Sequence, residues 1–144
     1  MAAGLATIGA IEMVRRTLLD TTAVSALVSD RVLAAYPEQV DAGQATYPLV
    51  ALVQRGGNLR RFSRMETVSF DLLAYSNESS GAASEIYDAC LTALQVERIT
   101  FADATANGNQ RAGVCQEAAR PNAGFDQGLR KWVQSGRWNI QIIG

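Results

Sequence analysis

The closing segment of the chain, Arg130–Ile143, restricts the fold more than any other stretch because its apolar and polar residues alternate. The apolar members of one face are Trp132, Trp138, Ile140 and Ile142, and the polar members of the other are Arg137, Asn139 and Gln141. A period of two residues is that of a β-strand with one face against an apolar layer. The sequence therefore predicts a long closing strand, with both tryptophans in the core.

The middle of the chain predicts a β-hairpin. Leu49–Gln54 is a nearly continuous apolar run after Pro48, which is typical of a central strand covered on both faces. The Gly-Gly-Asn segment at 56–58 is expected to end this strand, and Met65–Tyr75 resumes as a strand with alternating faces. We therefore expect the two strands to pair, with Arg55–Arg64 at the hairpin tip.

Two segments have the apolar spacing of amphipathic helices, Leu5–Leu19 near the start and the alanine-rich Gly81–Leu94. The polar residues 76–79 before the second of these are typical of a helix start. A shorter helical turn is predicted at Ala23–Val28, for which residues 20–22 offer N-cap oxygens. These segments give two principal helices and one short one.

The remaining segments complete the predicted order of helix, strands, helix and strands. Short strands are expected at Arg31–Tyr36, Arg98–Phe101 and Arg111–Ala119, and loops at Glu38–Tyr47 and Pro121–Gly128. This order predicts an α+β fold, a mainly antiparallel sheet with two principal helices packed on one face. At 144 residues, with 48% hydrophobic and 19% charged residues, we expect a single domain over residues 1–144.

The sequence contains no histidine, which removes Ser-His and Cys-His nucleophile systems, histidine bases and histidine-ligated metals together. It also lacks a Gly-x-Gly-x-x-Gly motif and a Walker-type Gly-Lys-Ser/Thr motif. Several carboxylates are interpreted as solvated surface charge, among them Glu66, Asp71, Glu85 and Asp88. We therefore expect no enzyme activity, no catalytic or metal-binding residue and no cofactor.

The two cysteines, Cys90 and Cys115, have the spacing of neither a disulfide framework nor a metal site and are interpreted as small core residues. No apolar run is long enough to cross a membrane, and no basic region precedes the weakly apolar N-terminal residues. We expect a protein made in a reducing cytoplasm, without a membrane partner.

Positive charge concentrates at the predicted hairpin tip, where four arginines surround a phenylalanine. The cluster consists of Arg55, Arg60, Arg61, Phe62 and Arg64. Guanidinium groups on a projecting tip suit DNA phosphates or an acidic protein surface. An ordinary solvated loop is the alternative, since the net charge of −1 indicates no general preference for nucleic acid.

Two short motifs surround the first predicted strand. Leu-Val-Ser-Asp-Arg-Val at 27–32 leads into it, and Tyr-Pro-Leu-Val at 47–50 opens the next strand. Together with the strand at Val68–Tyr75, the alanine-rich helix after it and the alternating closing strand, they resemble the tail-terminator (tail-completion) family of long-tailed phages and prophages. The resemblance extends over nearly the whole chain, apart from the loops at 38–46 and 121–128.

The resemblance implies a structural virion protein that forms a homo-oligomeric ring, commonly a hexamer, on the head-proximal end of the tail tube. Such a ring ends polymerisation of the major tail-tube protein and presents a surface to the head–tail connector or neck protein. The Arg55–Arg64 tip would then face the lumen through which phage DNA passes, or contact the ring below. The implied location is the virion tail, reached from the host cytoplasm during assembly.

Other functions remain open. A head-completion or neck protein, which joins head and tail in the same virion, would share the size and the ring. A small DNA-binding module that uses the Arg55–Arg64 loop belongs to a different class, and salt-sensitive binding of bare DNA would favour it. An enzyme is the least supported alternative because histidine is missing.

Overall fold

The structure, a computed structural model, describes residues 10–35, 47–60, 65–95, 99–102 and 110–143. Side chains are described for these residues except 10, 56–60, 65–66, 99–102, 110–112 and 142–143. The predicted helix start at 5–9 and most of the predicted loop at 38–47 lie outside the described residues.

The strands of the described chain form one mainly antiparallel sheet. They are Val32–Leu33 (β1), Leu49–Arg60 (β2), Met65–Ser76 (β3), Ile99–Ala102 (β4), Gln110–Ala119 (β5), Gly124–Asp126 (β6) and Lys131–Ile143 (β7). Their spatial order is β1-β2-β3-β7-β5-β4, and β6 pairs with β7. Each described pairing is antiparallel except the parallel pair β1–β2. The predicted α+β fold is confirmed, with β2, β3 and β7 as its long central strands.

The helices of the described chain are Ala10–Asp20 (α1), Thr22–Val28 (α2) and Ser80–Leu94 (α3). The predicted start of α3 is confirmed, because the Ser79 hydroxyl accepts a hydrogen bond from the Ala82 N–H at 3.0 Å. At α2 the prediction of a side-chain cap is wrong. The hydroxyl of Thr21 instead donates to the Thr17 carbonyl at the end of α1, at 2.7 Å, and so serves the preceding helix.

Strand β2 does not end at the Gly-Gly-Asn segment, which corrects the predicted hairpin. It pairs with β3 as far as Arg60 and Met65, with one register shift between Gln54 and Gly56. A β-bulge at this shift accommodates the glycines within a strand whose partner continues. Arg55 is the extra residue of the bulge. It therefore lies within the ladder and not at the hairpin tip.

Two other predicted boundaries change. The first strand, expected over Arg31–Tyr36, is the two-residue β1, and Tyr36 lies outside the described residues. The predicted loop at Pro121–Gly128 contains β6, which pairs with the start of β7. Both pieces are too short to show a period, so only their partners in the fold define them as strands.

The helices pack on one face of the sheet, the helix face, and this face carries the main core. Large fully buried members of this core are Met13, Val14, Leu18, Leu52, Phe70, Leu72, Tyr87, Leu94, Trp138 and Ile140. The rings of Phe70 and Trp138 stack with centroids 6.4 Å apart and planes inclined by 18°. The sheet residues of the core come from the predicted faces of the strands, which confirms the period-two assignment.

The opposite face of the sheet, here called the second face, has an apolar end and a polar end. The apolar end is a smaller buried cluster of Leu49, Ala51, Leu73 and Tyr75. The polar end carries Thr67, Ser69, Asp71, Asn139 and Gln141. Since Val50 and Leu52 belong to the main core, the prediction of a strand covered on both faces is confirmed for Leu49–Leu52, whereas Gln54 is exposed.

Trp138 lies in the core, whereas Trp132 does not. Trp132 is opposite Ser76, at the end of β3, and its ring meets the Phe125 ring edge-on with centroids 4.9 Å apart. Phe125 is 41% exposed. The alternation assigned Trp132 to the correct face of β7, but the main core does not extend to this end of the strand.

Candidate interaction surfaces

The two short motifs are joined directly in the structure. Val32 and Val50 are partners in the parallel pair β1–β2, and the Val50 N–H donates to the Arg31 carbonyl at 3.0 Å. The Arg31 Nε donates to the Pro48 carbonyl at 2.7 Å, and Arg15 Nε of α1 donates to the Val32 carbonyl at 2.8 Å. Because these arginines satisfy backbone acceptors, the described contacts of the motifs hold β1 between α1 and β2.

The arginine cluster predicted from the sequence is only partly described by the structure. The Arg55 side chain reaches the second face, where its Nε donates to Asp71 Oδ2 at 2.5 Å. Arg60 is the last residue of β2, and its side chain is not described. Outside the described residues lie Arg61, Phe62 and Arg64. The contact role of these five residues stays a prediction, and Arg55 belongs to a different local site from the tip.

Asp71 is the centre of this site on the second face. Its Oδ1 lies 3.7 Å from Arg137 Nε, across the β3–β7 pair in which the two residues are register partners. The side chain of Asp71 is 12% exposed, against 49% for Arg55 and 60% for Arg137. The carboxylate therefore orients two guanidinium groups whose outer parts reach solvent.

A groove of about 410 Å³ opens beside this cluster, and we call it the Asp71 groove. Besides Asp71 and its two arginines it is lined by Leu73, Ala119, Pro121, Ser135 and Gly136. It lies where the pairing of β7 changes from β5, which ends at the Ala119–Arg137 pair, to β6. The arrangement combines cationic donors with an apolar wall, which suits an acidic group carried on an apolar stem.

The sequence interpretation of Asp71 as solvated surface charge is wrong, because the residue is only 8% exposed. Its strand and face were predicted correctly. The two arginines beside it come from a bulge in β2 and from β7. The alternation of β7 predicts the face of Arg137, but the pairing of neither arginine with Asp71 follows from local periodicity. The only sequence feature that indicates this ion-pair cluster is the presence of opposite charges on two predicted strands. The indication is weak because the sequence does not give the register between the strands.

A second groove, of about 310 Å³, lies at the polar end of the second face. It is lined by Thr67, Val114, Gln116, Asn139 and Gln141. Beside it the Ser69 hydroxyl donates to Asn139 Oδ1 at 2.6 Å. The lining is uncharged and offers amide and hydroxyl groups, which can hydrogen-bond to another polar protein surface.

On the helix face, Tyr87 links α3 to two strands. Trp138 Nε1 donates to the Tyr87 hydroxyl at 2.9 Å, and this hydroxyl donates to the Glu117 carboxylate. Arg120 lies over the Tyr87 ring at 5.2 Å and pairs with Asp88 at 2.9 Å. Burial, and then the hydrogen bond to Glu117, raise the pKa of Tyr87 above its ordinary value. The phenol is thus kept protonated as a structural link.

The other candidate reactive groups are either buried thiols or carboxylates exposed to solvent. Cys90 and Cys115 are buried, as predicted, and burial raises the pKa of each thiol from 9.0 to about 12. Glu85 and Asp88 are exposed, as predicted, and the side chain of Glu66 is not described.

Within the described ranges, no three His, Cys, Asp or Glu side chains are grouped to hold a metal ion. No helix of those ranges has the length and apolarity needed to cross a membrane.

Comparison with known proteins identifies the fold. No family model and no curated protein matches the sequence. Solved structures do match, and one match is a chain of the "Virion of native gene transfer agent (GTA) particle", with a TM-score of 0.62 and 13% sequence identity. The alignment covers 91% of this chain and 92% of that chain. The protein thus has the fold of a chain from a gene transfer agent virion over nearly the whole length of both.

Proposed function

We propose that the protein is a structural component of a phage-type virion, and that it forms the ring that ends the tail tube at its head-proximal side. The observation that carries the proposal is the fold shared with a chain of a gene transfer agent virion across 91% of this chain. The motifs at 27–32 and 47–50, which resemble the tail-terminator family, support the more specific assignment to the tail end.

The role requires shape and surface complementarity in place of chemistry. A subunit that binds the end of a growing tube, but offers no matching surface to the next tube subunit, stops growth. Identical head-to-tail contacts between copies close into a ring when their rotation permits it. The buried thiols and the protonated Tyr87 suit packing better than nucleophilic attack, in line with a non-enzymatic role.

The predicted arginine tip supplies a candidate contact with the tube or the lumen. Strands β2 and β3 remain paired to Arg60 and Met65, so residues 61–64 join the ends of two long strands. We assign Arg60, Arg61, Phe62 and Arg64 to contact with the major tail-tube protein or with phage DNA. Replacing Arg60 and Arg61 with glutamate is expected to leave folding intact and to reduce assembly, because both charges of the contact change sign.

Deletion of the gene from the phage or prophage genome that carries it tests the proposal. Over-long or ragged tails in electron micrographs are the expected result, with normal length restored by the unaltered gene on a plasmid. Tails of normal length beside filled, unattached heads would assign the protein to head–tail joining instead. Normal, infectious particles from the deletion strain would rule out both virion roles.

The arginine tip is tested in the same strain by complementation. The Arg60→Glu/Arg61→Glu chain is compared with a Gly124→Ala chain, whose added methyl group meets no atom within 4 Å. The control is expected to restore tail length and the double variant to fail. Full restoration of tail length by the double variant would mean that the tip is an ordinary solvated loop without a contact role. Salt-sensitive retention of bare DNA by the purified wild-type chain, lost in the double variant, would identify DNA as its partner.

A further inference from the structure

The charges of the described residues are unevenly distributed between the two sides of the sheet. Exposed carboxylates in or beside the helices, with no ion pair in the described part of the chain, are Asp20, Asp30, Glu78 and Glu85. The second face instead presents Arg137 at the mouth of the Asp71 groove and Lys131 near its apolar end. The molecule therefore has an acidic helix side and a cationic groove on the other side.

Arg137 is the cation of the groove that is most available to another molecule. The Arg55 Nε is held by Asp71 at 2.5 Å, whereas Arg137 makes a single ion pair of 3.7 Å within the described chain and is 60% exposed. Asp71 approaches Arg137 through Nε, so the outer edge of the guanidinium group can donate two hydrogen bonds to a second carboxylate.

From this arrangement we infer that the Asp71 groove binds an acidic side chain from the helix side of a second copy of this chain. The charge complementarity between the groove and the helix side favours this occupant. A carboxylate on an apolar stem also fits the wall formed by Leu73, Ala119 and Pro121.

The positions of the two surfaces determine the type of assembly. The groove and the acids lie on opposite sides of one sheet, so two copies cannot bury both pairs of surfaces against each other. The contact is therefore head-to-tail, and a repeated head-to-tail contact produces a ring or an open filament. This inference rests on the proposed function for the ring, but the contact itself can be measured without a tail.

Charge reversal in the purified full-length chain tests the contact. Sedimentation velocity at rising protein concentration and low salt is expected to show association of the wild type that weakens with added salt. Arg137→Glu is expected to lower the association constant by about tenfold or more, the effect of losing roughly one close charge pair. Arg130→Glu makes the same change of net charge at an exposed residue of the turn between β6 and β7, outside both the groove and the helices, and serves as the control.

A charge swap identifies the acid. One chain carries Glu78→Arg with Glu85→Arg, and another carries Asp20→Arg with Asp30→Arg. The chain that contains the true partner is expected to associate poorly alone, and to recover association when it is mixed with the Arg137→Glu chain. Folding of each variant is checked by near-ultraviolet circular dichroism, and the neutral Arg137→Gln chain replaces any Arg137→Glu chain that does not fold.

Three results would overturn the inference. The first is equal association of the Arg137→Glu and wild-type chains. The second is a wild-type chain that stays monomeric at all concentrations and on isolated tail tubes. The third is loss of DNA retention by Arg137→Glu with association unchanged, which would make the groove a nucleic-acid contact. Normal tails in the deletion strain would contradict the proposed function but would leave a measured head-to-tail contact standing.

Discussion

The two faces of the sheet differ in how far their side chains are buried and in whether their contacts are apolar or polar. On the helix face, Phe70, Trp138 and Ile140 are fully buried, and the buried polar groups Tyr87 and Gln134 each have a hydrogen-bond partner. On the second face, apolar burial is confined to one end, and the other end carries polar side chains beside the Asp71 groove. The same strands supply both faces through alternate residues.

Because of this difference, we expect the helix face to determine mainly the stability of the fold and the second face to determine mainly the binding of other molecules. Substitutions on the helix face disturb close packing, which tolerates neither an added nor a removed methyl group without cost. Apart from the buried Asp71, substitutions at the polar end of the second face exchange groups that already contact solvent, so they act mainly on what binds there. The following predictions test this contrast in order of decreasing effect on stability.

The largest effect is expected at Gly136, which lies against Tyr87 on the helix face. A Cβ atom at this position would fall 1.7 Å from the Tyr87 hydroxyl oxygen, so Gly136→Ala must displace the phenol from Trp138 and Glu117. We expect the free energy of unfolding to fall by about 3 kcal/mol, as for overpacking combined with a broken buried hydrogen bond. Urea denaturation measures it.

The matched control for this change is Gly124→Ala in β6, where the added methyl group meets no atom within 4 Å. A change below about 0.5 kcal/mol is expected there, as for ordinary surface positions. Equal effects of the two substitutions would mean that the Tyr87 link does not hold the helix face together.

An intermediate effect is expected from alkaline pH through the two buried thiols. Burial raises the pKa of Cys90 and Cys115 from 9.0 to about 12, so only the unfolded chain loses these protons between those values. The stability that this provides is fully present below pH 9 and is lost as pH rises towards 12. At pH 9.5 we expect a loss of about 2 kcal/mol relative to pH 8, measured by urea denaturation.

The Cys90→Ala/Cys115→Ala chain separates the thiols from other alkaline effects. It is compared with itself at the two pH values, so any packing defect cancels. A shallower pH dependence than in the wild type is expected, and an identical one would exclude the thiols as the cause. The remaining dependence near pH 10 and above would include Tyr87, whose pKa is also raised by burial.

The smallest effect is expected on the second face, at the hydrogen bond from Ser69 to Asn139. This bond of 2.6 Å lies in a partly exposed polar region, so water can replace it. Ser69→Ala is expected to lower the free energy of unfolding by about 0.5 kcal/mol, the low end for a hydrogen bond in a protein. A loss as large as that of Gly136→Ala would show that both faces contribute equally to stability.

The sequence predictions were accurate where they depended on a period within one segment and inaccurate where they depended on pairing between strands. The alanine-rich helix α3, the long strands β3 and β7 and the burial of Trp138 were all predictable, because each depends on a period within one segment. Arg55 was expected at a hairpin tip and lies in a bulge, because the register with β3 decides where β2 ends. Trp132, which the alternation predicts to lie in the core, is only partly buried, because the main core does not extend to this end of β7.

The candidate site was less predictable than the fold. The sequence indicates Arg55 through its charge and its arginine neighbours, but it favours a solvated Asp71 and shows Arg137 only as one polar member of a strand face. Arg31 belongs to the motif at 27–32, but its hydrogen bond to the Pro48 carbonyl depends on the tertiary structure. The local sequence pattern indicates which face of a strand a charged residue occupies. It does not indicate which residue of another strand forms the ion pair with it.

The sequence by itself determined the class of the fold, the face that each long strand turns to the helices and the lack of histidine chemistry, because these depend on local period and composition. Only the tertiary structure decided that two arginines flank a buried Asp71 and that a groove opens beside them. It also decided that the motifs at 27–32 and 47–50 form one parallel pair. The physical reason is that register, bulges and edge pairing are set by strands far apart in the chain, whose contacts form together as the sheet assembles.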